Sequence, residues 1–179
     1  MSEVLRVIET DPRDVPLPMP IRTPRLIIRP LVESDATDLC QAIDETWEDL
    51  REWMVWADDR AGQTNPVLKV QFIREKRKHF LEREDIILVG VESESGKIVV
   101  MTGLHQINWR IRTFEIGFWV RKGFQGHGFA PEAARALTQY AFGALHARVV
   151  RIGHADGNEK SRRAILKSGF SEPPLRTPL

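Results

Sequence analysis

The alternation of apolar and polar positions changes character twice along this chain. "RLIIRPL" (25–31) is a short apolar run ending at Pro30, which reads as a first strand. Beyond it, apolar residues recur at helical spacing. "ESDATDLCQAI" starts a helix with Ser34 as N-cap, and "EDLREWMVWA" continues as a second piece with Trp53 and Trp56 on one face. A longer helix follows Pro66 and carries Leu68, Phe72, Ile73 and Phe80 inward. The period then becomes that of strands. "DIILVGVE", "GKIVVMTGLHQI" and "RTFEIGFWV" are rich in β-branched and aromatic residues and are joined by "ESESGK" and "NWRI". Three strands with short links predict an antiparallel meander.

The helical period returns in "PEAARALTQYAFGALH", with Ala133, Ala134, Leu137, Tyr140, Ala141 and Leu145 facing in. Pro131 fits its first turn, where its missing N–H is not needed. "RVVRIG" reads as a short buried strand that a right-handed crossover lays parallel to "EIGFWV". "NEKSRRAILKSG" is a last helix, with Asn158 as N-cap and Gly169 at its end. The order β, α, α, α, β, β, β, α, β, α predicts a mixed α/β (α+β) domain over residues 21–179. Residues 1–20 are an extended lead-in, because "DPRDVPLPMP" has four prolines in ten residues.

Bulk composition narrows the function classes. The 179 residues suit one domain. Lys plus Arg is 26 against 25 for Asp plus Glu, so no global field favours nucleic acid or an anionic membrane. The basic run "REKRKH" (74–79) reads as the solvated face of a helix. Cys40 is the only cysteine, which excludes an intrachain disulfide, and its helical setting makes it buried filler. No apolar run has the length of a membrane span, and the first residues do not make a signal peptide; a cytoplasmic protein is the expectation. His105, His127 and His154 show no helical metal-ligand spacing, so metal catalysis is not expected.

The chemistry concentrates in "VRKGFQGHGFAPEA" (120–133), a glycine turn between a strand and a helix. Gly123, Gly126 and Gly128 permit positive φ and leave N–H groups pointing outward at a helix N-terminus, a place for a pyrophosphate. Arg121 and Lys122 are expected to add mobile positive charge beside it. No Gly-Lys-Ser/Thr follows, so this is not a P-loop. Pro131 stands where a dinucleotide fingerprint needs Gly or Ala, no acid lies about 20 residues on, and the preceding strand ends a meander. A dinucleotide-dependent oxidoreductase is therefore disfavoured.

Gln125-Gly126-His127-Gly128-Phe129-Ala130 fits Q/R-x-x-G-x-G/A. That is the acetyl-CoA pyrophosphate signature of the GNAT N-acetyltransferases, and the chain resembles that family over nearly its whole length. "TPRLIIRPL" is similar to the opening strand of the branch that acetylates ribosomal-protein N-termini. "LREWMVWA" resembles that branch's tryptophan-rich segment, and "FEIGFWV" and "NEKSRRAILKSGF" also match in order. The resemblance implies a central, mostly antiparallel sheet with one parallel, splayed strand pair and helices on both faces. It implies acetyl-CoA as co-substrate, with the pantetheine arm between the splayed strands against Phe118 and Val120. Gln125, Gly126, His127, Gly128, Phe129 and Ala130 would take the pyrophosphate, and Asn158 would lie near the cofactor. Trp53 and Trp56 would line the acceptor groove, unless they are core anchors.

An attacking amine must be neutral. At pH near 7.4 an α-amine with pKa about 7.8 is roughly 30% neutral, a lysine only about 0.1%. Strand parity puts Glu115, Gly117 and Trp119 on one face, away from Phe114, Ile116, Phe118 and Val120. Glu115, beside Trp119 with open space over Gly117, is the candidate base, and His154 is the reserve. By resemblance Ser161, in N-x-x-S, is the candidate acid for the departing thiolate; Tyr140, in the preceding helix, is not supported there.

The family's closing strand pair is not expected here. "SGFSEPPLRTPL" has three prolines in its last seven residues, so that pair is missing or truncated, and the uncovered sheet edge invites a homodimer. The expected acceptor is a protein N-terminal α-amine. A small-molecule amine is the rival within the class, and a regulatory domain that binds CoA without turnover is the rival outside it.

Overall fold

Six strands lie in sequence order across one sheet in the computed structural model, which describes residues 11–171. They are β1 (Ile21–Arg22), β2 (Leu26–Pro30), β3 (Ile86–Glu92), β4 (Ile98–Asn108), β5 (Thr113–Val120) and β6 (Val149–Ile152). The helices are α1 (Ala36–Trp53), α2 (Arg60–Gln63), α3 (Pro66–Glu82), α4 (Phe129–Gly143) and α5 (Glu159–Lys167). Each neighbouring strand pair is antiparallel except β5 and β6, which run parallel. The meander, the crossover helix and the mixed sheet thus follow the pattern that the sequence predicts.

Two apolar layers sandwich the sheet. Alternation along β3 sends Ile86 and Leu88 to one face and Val89 to the other. The first face packs with Phe114 and Ile116 of β5 against Ala133, Leu137, Tyr140 and Ala141 of α4. The second packs against Leu39, Ile43, Trp47 and Leu50 of α1 and Ile73 of α3. Helices on both faces leave the upper end of β5 between two layers, and the candidate site lies there.

Several local expectations are corrected. Helix α1 is one uninterrupted element that starts at Ala36; Ser34 is inside a 3-10 turn, Glu33–Asp35, and does not cap it. The Asp35 carboxylate instead accepts from the Val32 N–H at 2.8 Å and pairs with Arg29 at 2.7 Å. Because α1 ends at Trp53, Trp56 does not share a helix face with it; Met54 is already extended (φ −110, ψ 117). On α3, Leu68 is 47% exposed, whereas its neighbour Lys69 is only 4% exposed. Strand β6 is a half-exposed edge and not a buried strand, since nothing pairs with its outer side among the described residues. The proline-rich lead-in forms a 3-10 turn at Pro12–Asp14 and docks: Val15 enters the core and its carbonyl accepts from Arg83 at 3.0 and 3.2 Å. Of the C-terminal stretch expected to lack a hairpin (168–179), the part beyond Ser171 lies outside the described residues. No helix among the described residues is long and apolar enough to cross a membrane.

Candidate active site

The site begins where β5 and β6 part. Their ladder runs from Thr113–Val149 to Ile116–Ile152 and stops, while β5 continues to Val120. Antiparallel pairing with β4 alternates the direction of main-chain groups. The Arg121 N–H donates to the Val99 carbonyl at 2.9 Å, and the Gly117 carbonyl accepts from Thr102 Oγ1 at 2.8 Å. Odd-numbered residues therefore point toward β4, and Phe118 and Val120 point their main-chain groups into the gap beside β6. The Val120 carbonyl is already engaged by Gln125 Nε2 at 3.1 Å. The gap thus offers Phe118 N–H and C=O and Val120 N–H.

At the top of the gap the chain turns into α4. Gly126 (φ +80) and Gly128 (φ +84) are left-handed, which side chains resist. Gly123 is not: it lies in a 3-10 turn, Lys122–Phe124, and its role is not a positive φ. From Gly126 to Ala130 no backbone N–H finds an acceptor among the described residues, and the helix has no side-chain cap at Gly128. Pro131, the next residue, has no N–H to leave unsatisfied. These donors form an arch at the positive end of a helix dipole, which fits a pyrophosphate. Phe129 and Ala130 bury their side chains, so they can offer only main-chain groups, while His127 is exposed at the rim.

The loop is held from two sides. Asp38, Glu45 and Asp49 share a stripe of α1 and grip it. Arg121, 1% exposed, donates to Glu45 at 2.6 and 2.8 Å and to Asp38 at 2.7 Å. Lys122 Nζ and Gln125 Nε2 both reach Asp49 at 2.8 Å. Arg121 and Lys122 are consequently not mobile charges beside a phosphate. They are anchors, with Arg121 inside the protein. The Glu45 hydrogen bonds push the Arg121 pKa up, and Arg121 holds Glu45 below the usual carboxylate range. Burial pushes Asp49 up, but hydrogen bonds from Lys122 and Gln125 outweigh it and its pKa is lowered. On the other side Arg25 bonds the His127 carbonyl at 2.8 Å, pairs with Glu132 at 2.6 Å and stacks 4.3 Å over Phe129. The sequence showed neither anchoring role, taking Arg121 and Lys122 for mobile charges and leaving Arg25 without one, because both contacts tie segments far apart in the chain.

Below the arch lies a cavity of about 680 Å³. Glu115, Gly117 and Trp119 line it together, as strand parity predicts, and no break in register interrupts β5 from Glu115 to Val120. The Glu115 carboxylate makes no hydrogen bond or ion pair among the described residues and is free to meet a ligand. Phe118, Asn158, Ser161 and His154 line the same cavity from the gap side, and Trp53 and Trp56 from the end of α1. Asn158 caps α5 by accepting from the Ser161 N–H at 3.0 Å. Trp53 reaches over to Gly157, 3.8 Å from where a Cβ there would lie. His154 is exposed, with Nδ1 3.0 Å from the Ala155 carbonyl, and Tyr140, on α4, is buried in the core and does not line this cavity.

Two groups that the sequence left without a role stand here. The space over Gly117 is not open. The His105 ring occupies it, 3.0 to 3.1 Å from where a Gly117 Cβ would lie. His105 is the cross-strand partner of Glu115, and its Nδ1 is 2.7 Å from Asp85 Oδ1. The pair Gly103–Gly117 makes the slot for the ring. Lys69 is the second, and its Nζ donates to Gln63 Oε1 at 2.9 Å.

Comparison with known proteins agrees with this geometry. Residues 25–171 match the family model described as an acetyltransferase (GNAT) domain. A Bacillus subtilis protein named "Putative ribosomal N-acetyltransferase YdaF" is 31% identical over 150 residues, covering 82% of this chain and 78% of that one. A crystal structure described as a "Probable acetyltransferase" superposes with a TM-score of 0.75 at 30% identity, covering 83% of this chain and 80% of the other. The RimL ribosomal L7/L12 α-N-protein acetyltransferase, solved with coenzyme A, shares the fold at a TM-score of 0.73 and 18% identity, covering 83% and 81%.

Proposed function

The chain belongs to the GNAT acetyltransferase family, and on that premise we propose that it moves the acetyl group of acetyl-CoA to a primary α-amine at a protein N-terminus. The observation that carries this reading is the opened β5–β6 pair beneath an arch of unengaged N–H groups. Gly126 to Ala130 bind the pyrophosphate, with Gln125 holding the loop from behind and His127 at the rim. Phe118 and Val120 bond the pantetheine arm and polarise the thioester carbonyl, and Asn158 borders the arm from α5.

Glu115 accepts a proton from the incoming amine, directly or through water, as the amine attacks the thioester carbon. The C–N bond forms, the C–S bond breaks, and the leaving sulfur takes a proton, for which Ser161 is the near donor. No covalent enzyme intermediate is needed. Trp53, Trp56 and Trp119 give the acceptor an aromatic wall. An N-terminal amine suits a site with one free carboxylate, because much of it is already neutral near pH 7.4. The name of the Bacillus subtilis relative supports the same acceptor class.

The test is a thiol-release assay with acetyl-CoA and a panel of N-terminal peptides, lysine peptides and small amines. Release with free-N-terminus peptides, and not with N-blocked lysine peptides, is the expected result. Release only with small amines would overturn the protein acceptor. CoA binding without acceptor-dependent release would overturn turnover itself.

A further inference from the structure

Lys69 is a buried cation on the α3 wall of the acceptor cavity. Its residue is 4% exposed, and it forms no ion pair with any carboxylate among the described residues. One of its three donors meets Gln63 Oε1 at 2.9 Å; Gln63 itself is fixed by its own amide donating to the Trp56 carbonyl at 3.3 Å. Helical spacing sets Lys69, Phe72 and Lys76 on one face of α3, and all three line the cavity that also holds Glu115. The two ammonium groups flank one ring: Lys69 Nζ lies 4.9 Å and Lys76 Nζ 5.6 Å from the Phe72 centroid.

This arrangement works against stability on its own. Burying an ammonium without a counter-charge costs several kcal/mol in general, and the usual remedy is an acid on the next helix. The titratable group that acts on it is Cys40, whose pKa burial pushes up, which favours the neutral thiol. Burial also lowers the Lys69 pKa, so the ammonium lacks the partner that would sustain its charge. Yet it faces a cavity, and two donors remain to be met.

We propose that Lys69 and Lys76 form an anion subsite, and that the acceptor carries a carboxylate a short distance from its primary amine. This inference rests on the transferase reading above. The amine end lies toward Glu115 and the carboxylate toward α3. Two sources share that chemistry: an acidic side chain next to a peptide N-terminus, and the free carboxylate of an amino acid. A point charge on a flexible stem suits either.

The test uses matched acceptors that differ by one charge, assayed by CoA release with the full chain. One arm compares an N-terminal peptide with Glu at its second position against the same peptide with Gln. The other compares a free amino acid with its amide. The expected result is at least a tenfold higher kcat/KM for the acid in one arm or both, and the arm that shows it identifies the source. In Lys69→Met that ratio falls toward one, and in Lys76→Met it falls in part; Lys69→Arg keeps it. Equal rates for acid and amide in both arms would overturn the subsite. So would a Lys69→Met variant that lowers both members of a pair alike, or a Lys76→Met variant that leaves the ratio at its wild-type value if Lys69→Met does not fold. No release from any acceptor would overturn the transferase reading, and this inference with it.

Discussion

Arg121 grips Glu45 through two hydrogen bonds, at 2.6 and 2.8 Å, from a position where its own residue is 1% exposed. The pair fastens the residue that follows β5 to the middle of α1, and thereby fixes where the N–H arch begins. Arg121→Met should destabilise the fold by about 2 kcal/mol, because it strips charged hydrogen bonds whose acid partners remain partly open to water. CoA affinity should fall as well. Denaturant unfolding and calorimetric titration with CoA measure the two effects separately.

The arch itself depends on two left-handed glycines. Gly126→Ala meets open space, so its cost is conformational, about 1–2 kcal/mol. A weaker CoA complex and a raised KM for acetyl-CoA are expected, with the melting temperature lowered slightly. Unchanged CoA affinity would show that the arch does not hold the pyrophosphate.

Glu115 and Ser161 are expected to differ in weight. Glu115→Gln should lower turnover by roughly 10² to 10⁴ while CoA affinity stays near the wild-type value. A thiol is a good leaving group, so Ser161→Ala should cost less than Glu115→Gln. Steady-state kinetics at saturating acetyl-CoA decide both, and an equal loss in the two variants would reverse the ranking.

The Asp85–His105 pair fixes a ring over Gly117, so crowding that position should be felt in the acceptor groove. In Gly117→Ala the new methyl group would come 3.0 Å from His105 Cδ2. The ring must give way, and KM for the acceptor should rise more than KM for acetyl-CoA. Equal changes in both constants would place the effect elsewhere.

Acid sensitivity follows from the anchors. Burial raises the Glu132 pKa, but hydrogen bonds from Thr23 and Arg25 outweigh it and the folded value is lowered. Asp49 and Glu45 are lowered likewise. A lowered folded pKa means stability that is complete above the ordinary carboxylate range, about pH 4, and lost as pH falls through the folded value. Glu132→Gln should therefore cost about 1–2 kcal/mol at neutral pH, and its gap from the wild type should narrow below about pH 4. Urea midpoints across that range provide the check.

Much of this was readable from local pattern. Period two marked the meander, period 3.6 marked α4, and the glycines between them marked the turn, since backbone geometry and neighbouring side chains decide those features within a few residues. Parity along β5 put Glu115, Gly117 and Trp119 on the face where the cavity lies, and the register stays unbroken there. The break between Trp53 and Trp56 was less legible, because an apolar spacing continues past the point where the helix stops.

Local pattern was enough for the order of elements and the glycine turn, both set by propensity and short-range sterics, whereas the splayed strand end came from the family resemblance alone. The roles of the charged residues came instead from contacts that folding makes between distant segments. Arg121 meets Glu45 from 76 residues away, and Arg25 meets His127 from 102. Lys69 is drawn inward where Leu68 is left outside. A charge carries no periodic signature of its partner. Its role depends on which distant segment folding brings beside it, and on how much water that contact removes.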